Sequence, residues 1–282
     1  MAPTSDVRPS PIAGLWYSGD PIELRQQVRR FIDQADVPEL DGEVIGVVAP
    51  HAGLRYSGRT AGHAFRAVRG QSRDLVAIVS PFHDFYPAML LTSAHAAYTS
   101  PLGEVWIDRP AVDTVRQALK DEADMVLKPI AQDGEHSLEI ELPFLQVALQ
   151  GDFRLLPVMV HSQSGEVARA LGQALVRALQ GRKALLVAST DLSHFYPEDV
   201  AEKYDYEMLQ RIASFSPQEV IHAEESGAAF ACGAAAVAAV LWAARDLGAN
   251  AVEILHHSTS ADETGDHQSV VGYGAAVILK RT

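Results

Sequence analysis

The sequence predicts an α/β protein, a single three-layer α/β/α domain around a mixed, mostly parallel sheet that takes in residues 1–282. Three observations carry this reading. Runs such as Val44–Ala49 (VIGVVA), Leu75–Ser80 (LVAIVS) and Ala184–Ser189 (ALLVAS) are short and almost wholly apolar, as strands buried on both faces are. Longer segments with helical spacing separate them, which is the alternation of a sheet covered by helices. No internal repeat, low-complexity linker or break in composition divides the 282 residues, so one domain is expected.

Taken in order, a helix over Pro21–Gln34 leads into the first strand, Val44–Ala49. A helix over Arg59–Val68 follows, then strands Leu75–Ser80 and Ala88–Thr92 (AMLLT). Helical spacing returns at Ala111–Asp121 and Leu138–Leu149, before a strand at Arg154–Val160 (RLLPVMV). Helix Gly165–Leu179 and strand Ala184–Ser189 come next, then helices Pro197–Ala213, Pro217–Glu225 and Gly233–Leu247. Strands Ala251–His256 (AVEILH) and Val270–Leu279 (VVGYGAAVIL) close the chain.

Composition narrows the function classes. A hydrophobic content of 48% with 21% charged residues is that of a soluble chain with a sizeable core. The formal charge of −13 would repel a polyanion, so nucleic-acid binding is not expected. The one cysteine rules out an intramolecular disulfide framework and fits a reducing cytosol. The N-terminal stretch has no basic start followed by an apolar run, so no signal peptide is expected. Gly227–Ala244 carries no charge and reaches the lower length of a membrane span, but ten of its residues are alanine. A helix buried against a sheet is the better reading of it, and a cytoplasmic protein is expected.

Position separates the eleven histidines. Strand Val44–Ala49 runs into Pro50-His51, Leu75–Ser80 into Pro81-Phe82-His83, and Ala184–Ser189 into Thr190-Asp191-Leu192-Ser193-His194. Open α/β sheets bind ligands beyond the carboxyl ends of their strands, so three imidazoles delivered to that edge can converge on a metal. Pro50 and Pro81 are expected to end strand pairing and aim each ring. A lone strand-end histidine is ordinarily a hydrogen-bonded loop residue; it is the recurrence that points to a ligand set. His63, His95, His161 and His222 read as structural, and His256 and His257 end a late strand with a weaker claim on the edge.

Asp133-Gly134-Glu135-His136-Ser137-Leu138-Glu139 reads first as a helix N-terminus, where acidic residues suit the dipole and Ser137 suits the cap. His136 gains nothing there and is a candidate proton carrier or supporting donor. Cys232 precedes the helix Gly233–Leu247. A free cysteine is ordinarily a small buried hydrophobe. A helix N-terminus favours its thiolate, however, and Gly233 leaves room beside the sulfur. With two or three imidazoles it would make a site for iron, copper or zinc rather than magnesium or calcium.

The ordered set Ala13-Gly14-Leu15-Trp16-Tyr17, Ala49-Pro50-His51-Ala52-Gly53, Ser80-Pro81-Phe82-His83 and Glu135-His136-Ser137-Leu138-Glu139 resembles the Memo family. So do Ser189-Thr190-Asp191-Leu192-Ser193-His194, Ala231-Cys232-Gly233 and the closing Thr264-Gly265-Asp266 with Ser269-Val270-Val271-Gly272-Tyr273. Prokaryotic members are also called AmmeMemoRadiSam system protein B. The resemblance implies a fold similar to the class III extradiol dioxygenases, which hold Fe(II) with two histidines and a glutamate. It puts His51 and His83 at the histidine positions, Cys232 at the glutamate position and His194 at the acid/base histidine, with Asp191 and His136 in the same pocket. Thiolate in place of carboxylate means that the dioxygenase reaction does not transfer with the fold. Asp84 stands where animal members carry a second histidine, and is expected to orient His83 or add a hard ligand.

The leading expectation is a metal-dependent redox enzyme with iron(II), or copper, held by His51, His83 and Cys232. His194, oriented by Asp191, would move protons, and the substrate would be small and aromatic or chelating. A second expectation is a non-catalytic metal-binding component of a complex with AMMECR-type and radical-SAM proteins. A third, weaker one is a zinc hydrolase.

Overall fold

The computed structural model describes residues 6–282. Its first half contains β1 (Val7–Arg8), α1 (Pro21–Gln34), β2 (Glu43–Ala49), α2 (Leu54–Arg66), β3 (Leu75–Pro81), β4 (Leu90–Ser93), β5 (Ala97–Ser100), β6 (Gly103–Trp106), α3 (Arg109–Ala123) and β7 (Leu127–Ile130). The second half contains α4 (Glu141–Ala148), β8 (Arg154–Val160), α5 (Gly165–Leu179), β9 (Ala184–Ser189), β10 (His194–Tyr196), α6 (Glu198–Ala213), α7 (Pro217–Ser226), α8 (Ala234–Asp246), β11 (Ala251–Thr259), α9 (Ala261–Thr264) and β12 (Val270–Lys280).

The main sheet has nine strands, running β12-β2-β9-β3-β8-β4-β7, with β10 and β11 both paired to β12. Its centre, β2-β9-β3-β8, is parallel, while the β12-β2 and β8-β4 pairings on either side are antiparallel. The chain steps from β2 across to β3 through α2, then returns from β8 to β9 through α5. Right-handed crossovers in opposite directions put their helices on opposite faces. The packing agrees: α2 lies with α1 and α4, and α5 lies with α3 and α8. The result is the three-layer α/β/α architecture.

All of the predicted strands and helices are present, Pro21–Gln34, Arg154–Val160, Gly165–Leu179 and Ala184–Ser189 with the expected ends and the others with shifted ends. The short pieces β1, β5, β6, β7, β10 and α9 were not among them. β1, β5 and β6 form a separate three-stranded sheet. α2 begins five residues before the expected Arg59, despite Gly58 and Gly62. These glycines seat the helix: an added Cβ at either would come within 2.5 Å of Phe31 of α1.

β3 also continues through Pro81, which pairs with Val160 of β8, so Pro81 does not end the pairing as expected. Its carbonyl accepts from Ser137 Oγ at 2.8 Å instead. The alanine-rich run is the buried helix α8, with every residue from Ala234 to Ala244 inside. It packs on α5 and over β9, β3 and β2. Gly172 of α5 makes the approach close, since a Cβ there would stand 2.8 Å from Trp242 Cβ. No helix among the described residues is long and apolar enough to cross a membrane.

Candidate metal centre

The carboxyl ends of the neighbouring strands β2, β9 and β3 deliver His51, Asp191 and His83 to one edge of the sheet. The loop before α4 adds His136. His51, His83 and His136 each offer a ligand atom, and these atoms lie within 4.8 Å of one another; they are the one such group among the described residues. The ring centroids of His51 are 5.4 Å from His83 and 5.5 Å from His136.

Each ring has its Nδ1 beside an oxygen. His51 Nδ1 is 3.0 Å from Ser189 Oγ. His83 Nδ1 is 3.0 Å from Glu135 Oε1, and His136 Nδ1 is 3.3 Å from that same oxygen. For His51 and His83 the contact is a hydrogen bond, which fixes ring orientation and leaves Nε2 to face a metal, the arrangement metal-ligating histidines ordinarily show; for His136 it is a charge contact only.

Glu135 is therefore a central residue that the helix-N-terminus reading missed. Its carboxylate accepts the backbone N–H groups of His83, His136 and Ser137 as well as the His83 ring. Burial alone would raise its pKa, but the His83 hydrogen bond and charge and the backbone donors hold it well below the carboxylate range. The same partnership raises His83 above an ordinary histidine, against the pull of burial. α4 starts at Glu141, three residues later than expected, because Glu135 and Glu139 are engaged elsewhere.

Glu139 accepts from Arg8 Nη1 at 2.5 Å and from the Tyr17 hydroxyl at 2.7 Å. Arg8 also donates to Asp133 Oδ1 from Nε at 2.9 Å and to the Glu135 carbonyl at 2.7 Å. The 133–139 loop is thus clamped by a buried ion-pair network from β1, more than 120 positions away in the sequence.

Cys232 reaches the same edge. Its sulfur lies 3.2 Å from His51 Nε2 and accepts the Asp191 N–H at 3.3 Å. Gly233 permits this approach, because a Cβ there would stand 2.4 Å from the Ser189 carbonyl. The thiolate expected from the helix N-terminus is not what the surroundings favour. Burial and the neighbouring Asp191 push the thiol pKa up, and α8 begins only at Ala234. In the absence of a metal these surroundings favour the neutral thiol.

Two expected partnerships are corrected. Asp191 does not orient His194; its carboxylate accepts the His51 N–H at 2.8 Å, and His194 Nδ1 donates to the Leu192 carbonyl at 2.8 Å. Asp84 does not hold His83, whose Nδ1 belongs to Glu135; it is exposed. His256 and His257 do not reach the edge: His256 stacks on His63 at 4.0 Å, and His257 Nε2 meets Asp205 Oδ2 at 2.9 Å. His161 directly follows β8 and so is a further strand-end histidine, but its ring turns to Phe82 and Phe85.

Above the cluster is a pocket of about 490 Å³ whose lining includes His51, His83, His136, Asp191 and His194, with Trp16, Tyr56, Phe195 and Tyr273 among its walls. Burial pushes His136 down to about 4, against the pull of Glu135, and carries His51 well below the usual value. His194 is lowered for the same reason, and burial raises Asp191 to about 7. Apart from the His83–Glu135 pair, this floor favours uncharged groups, and neutral imidazoles are what a metal requires. Imidazole nitrogens with one thiol suit iron, copper or zinc and fit magnesium or calcium poorly.

Fold and site together define a layered α/β protein with a histidine cluster at the carboxyl edge of its parallel strands. The family model for Memo-like proteins matches residues 8–277, and the chain belongs to the Memo family. It is similar to a MEMO1 family protein of Methanopyrus kandleri, 34% identical over 96% of this chain and 98% of that one. A MEMO1 family protein of Methanococcoides burtonii is 33% identical, covering 97% of this chain and 100% of the relative. Another, from Methanothermobacter thermautotrophicus, is 32% identical over 95% and 98%.

Proposed function

We propose that this Memo-family protein is a metal-dependent redox enzyme, using iron(II) or copper and acting on a small planar or chelating substrate in the cytosol. The observation that carries the reading is the cluster of His51, His83 and His136, whose ligand atoms lie within 4.8 Å of one another on the floor of an aromatic-walled pocket, with the first two rings hydrogen-bonded through Nδ1. His51 and His83 would hold the metal, with Cys232 or His136 completing the set. Iron or copper held there would supply Lewis acidity and electron exchange with O₂.

The chain's own residues provide the rest. Trp16, Tyr56, Phe195 and Tyr273 would sandwich a flat substrate and limit water around it. His194 donates through Nδ1 to Leu192, so its Nε2 is free to take a substrate hydroxyl proton. Asp191, near neutrality in its proton affinity, would hold the turn between His51 and Cys232 rather than steer His194. Cys232 would join as a thiolate by giving up its proton, and a reducing cytosol would keep its sulfur unoxidised.

The test is anaerobic loading with Fe(II), with metal per chain and O₂ uptake measured in the parent, His51→Ala and Cys232→Ala. Loss of metal in His51→Ala supports the site. Metal bound as well as in the parent by both variants overturns it. Tight metal without O₂ uptake would favour the second reading, a binding component of a complex with AMMECR-type and radical-SAM proteins. That reading draws on the exposed Phe195 in the wall of the pocket.

A further inference from the structure

Behind the histidine cluster sits a buried group that the proposed chemistry does not use. Glu141, the first residue of α4, is 0% exposed and has no basic partner. Its Oε1 lies 2.6 Å from Ser189 Oγ, and its Oε2 has no hydrogen-bond partner among the described residues. An ionised carboxylate half bare in a protein core is among the most costly arrangements, and a neutral acid is much less so.

The hydrogens around Ser189 can be counted. Its Oγ has three neighbours: the Ser137 carbonyl at 2.8 Å, Glu141 Oε1 at 2.6 Å and His51 Nδ1 at 3.0 Å. A hydroxyl has one hydrogen to give and two lone pairs. The carbonyl can only accept, so it takes the hydroxyl hydrogen. The shorter contact to Glu141 then needs a hydrogen of its own, and only the carboxyl group can carry it. The remaining lone pair of Oγ faces His51, so Nδ1 must be the protonated nitrogen. With that distribution every contact of Ser189 holds one hydrogen. Any other leaves two acceptors facing each other.

We propose that Ser189 is a positioning residue, held by the Ser137 carbonyl and by Glu141 as a neutral carboxylic acid, that fixes His51 as the Nδ1–H tautomer and presents its Nε2 lone pair to the cluster. Burial of Glu141 without a cation acts in the same direction, favouring its protonated form. On the other side of the ring, the Cys232 sulfur lies 3.2 Å from Nε2. The consequence for metal affinity rests on the reading above; the tautomer and the state of Glu141 do not.

The experiment is NMR on the metal-free protein at neutral pH. ¹⁵N-histidine labelling reads the His51 tautomer, assigned by loss of its signals in His51→Ala, and ¹³C-carboxyl labelling reads Glu141, assigned by Glu141→Gln. The parent is expected to show an Nδ1–H imidazole at His51 and a protonated Glu141. An Nε2–H imidazole, or an ionised Glu141, overturns the proposal in the parent alone, whatever the variants do. Ser189→Ala is expected to mix the tautomers and to weaken metal binding by about 10–100-fold, the usual range for a ligand's supporting partner. Ser189→Thr, which keeps the hydroxyl, is expected to restore both. A parent that shows the expected tautomer yet binds no metal would sink the metal reading and leave this inference standing.

Discussion

Among the described residues histidines gather in two places, and in only one of them do three rings bring ligand atoms close enough together to hold a metal. At the strand ends, His51, His83 and His136 each have Nδ1 beside an oxygen and bring ligand atoms within 4.8 Å of one another. Under β11, His63 and His256 stack at 4.0 Å, while His257 turns its Nε2 to Asp205. Their anchors do not lead to a pocket: His63 Nδ1 donates to the Arg59 carbonyl of its own helix, and His256 Nδ1 is 3.0 Å from Thr60 Oγ1 across the seam between α2 and β11. Residue type is the same in both places. What differs is whether three rings converge on the floor of a pocket or two fill a seam between a helix and a strand.

The comparison is broken most directly by swapping the loss between clusters. His51→Ala should weaken Fe(II) or Zn(II) binding by more than about 100-fold, a larger loss than removal of a supporting group causes. His256→Ala should leave it unchanged. Calorimetric titration of both variants decides, and equal losses would erase the distinction.

Next in size is the clamp under the strand-end cluster. Arg8→Met leaves Asp133 and Glu139 buried without their cation and should cost about 3–5 kcal/mol in urea unfolding. A change near zero would mean that the loop bearing His136 stands without β1. Gly233→Ala should cost about 1–3 kcal/mol by driving a Cβ toward the Ser189 carbonyl. Its diagnostic effect is slower reaction of Fe(II)-loaded protein with O₂, since Cys232 is displaced from His51.

The smallest expected effect belongs to the second cluster. Burial, then His63, lowers His256 to about 4, whereas an unfolded histidine titrates near 6.5. Between those values the unfolded chain binds a proton that the folded chain refuses. Stability should therefore fall as the pH drops from about 6.5 to 4 and level off below. Melting curves of the parent and His256→Asn across that window should differ in slope, with the variant flatter. Identical slopes would show that His256 does not contribute to the pH dependence and would contradict this reading.

Much of the first cluster was legible because its signals are local. Strand ends running into Pro50-His51 and Pro81-Phe82-His83 announce two of its three rings, and β2, β9 and β3 are indeed neighbours; His194, expected to converge with them, lines the pocket outside the group, and His136, read as a proton carrier or supporting donor, takes the third place. The supporting groups were not legible, for a physical reason. Arg8 meets Glu139 across 131 positions, and His51 meets Ser189 across 138, so no spacing rule relates them. Glu135 looked like helix-dipole chemistry, because a carboxylate that gathers backbone N–H groups has the same sequence signature whether a helix follows at once or later. Cys232 misled in the opposite direction: proximity to a helix N-terminus suggested a thiolate, and burial beside Asp191 outweighs it. The short strands β5 and β6 have four residues each, too few for an alternation to stand out from a loop.

X-ray absorption of the anaerobically Fe(II)-loaded protein tests the central claim most directly. With His51, His83 and His136 around the iron, the expected spectrum carries the multiple-scattering signature of several imidazole rings, lost in part in His83→Ala and untouched in His256→Ala. A spectrum of light oxygen scatterers alone, with no imidazole signature, would contradict it.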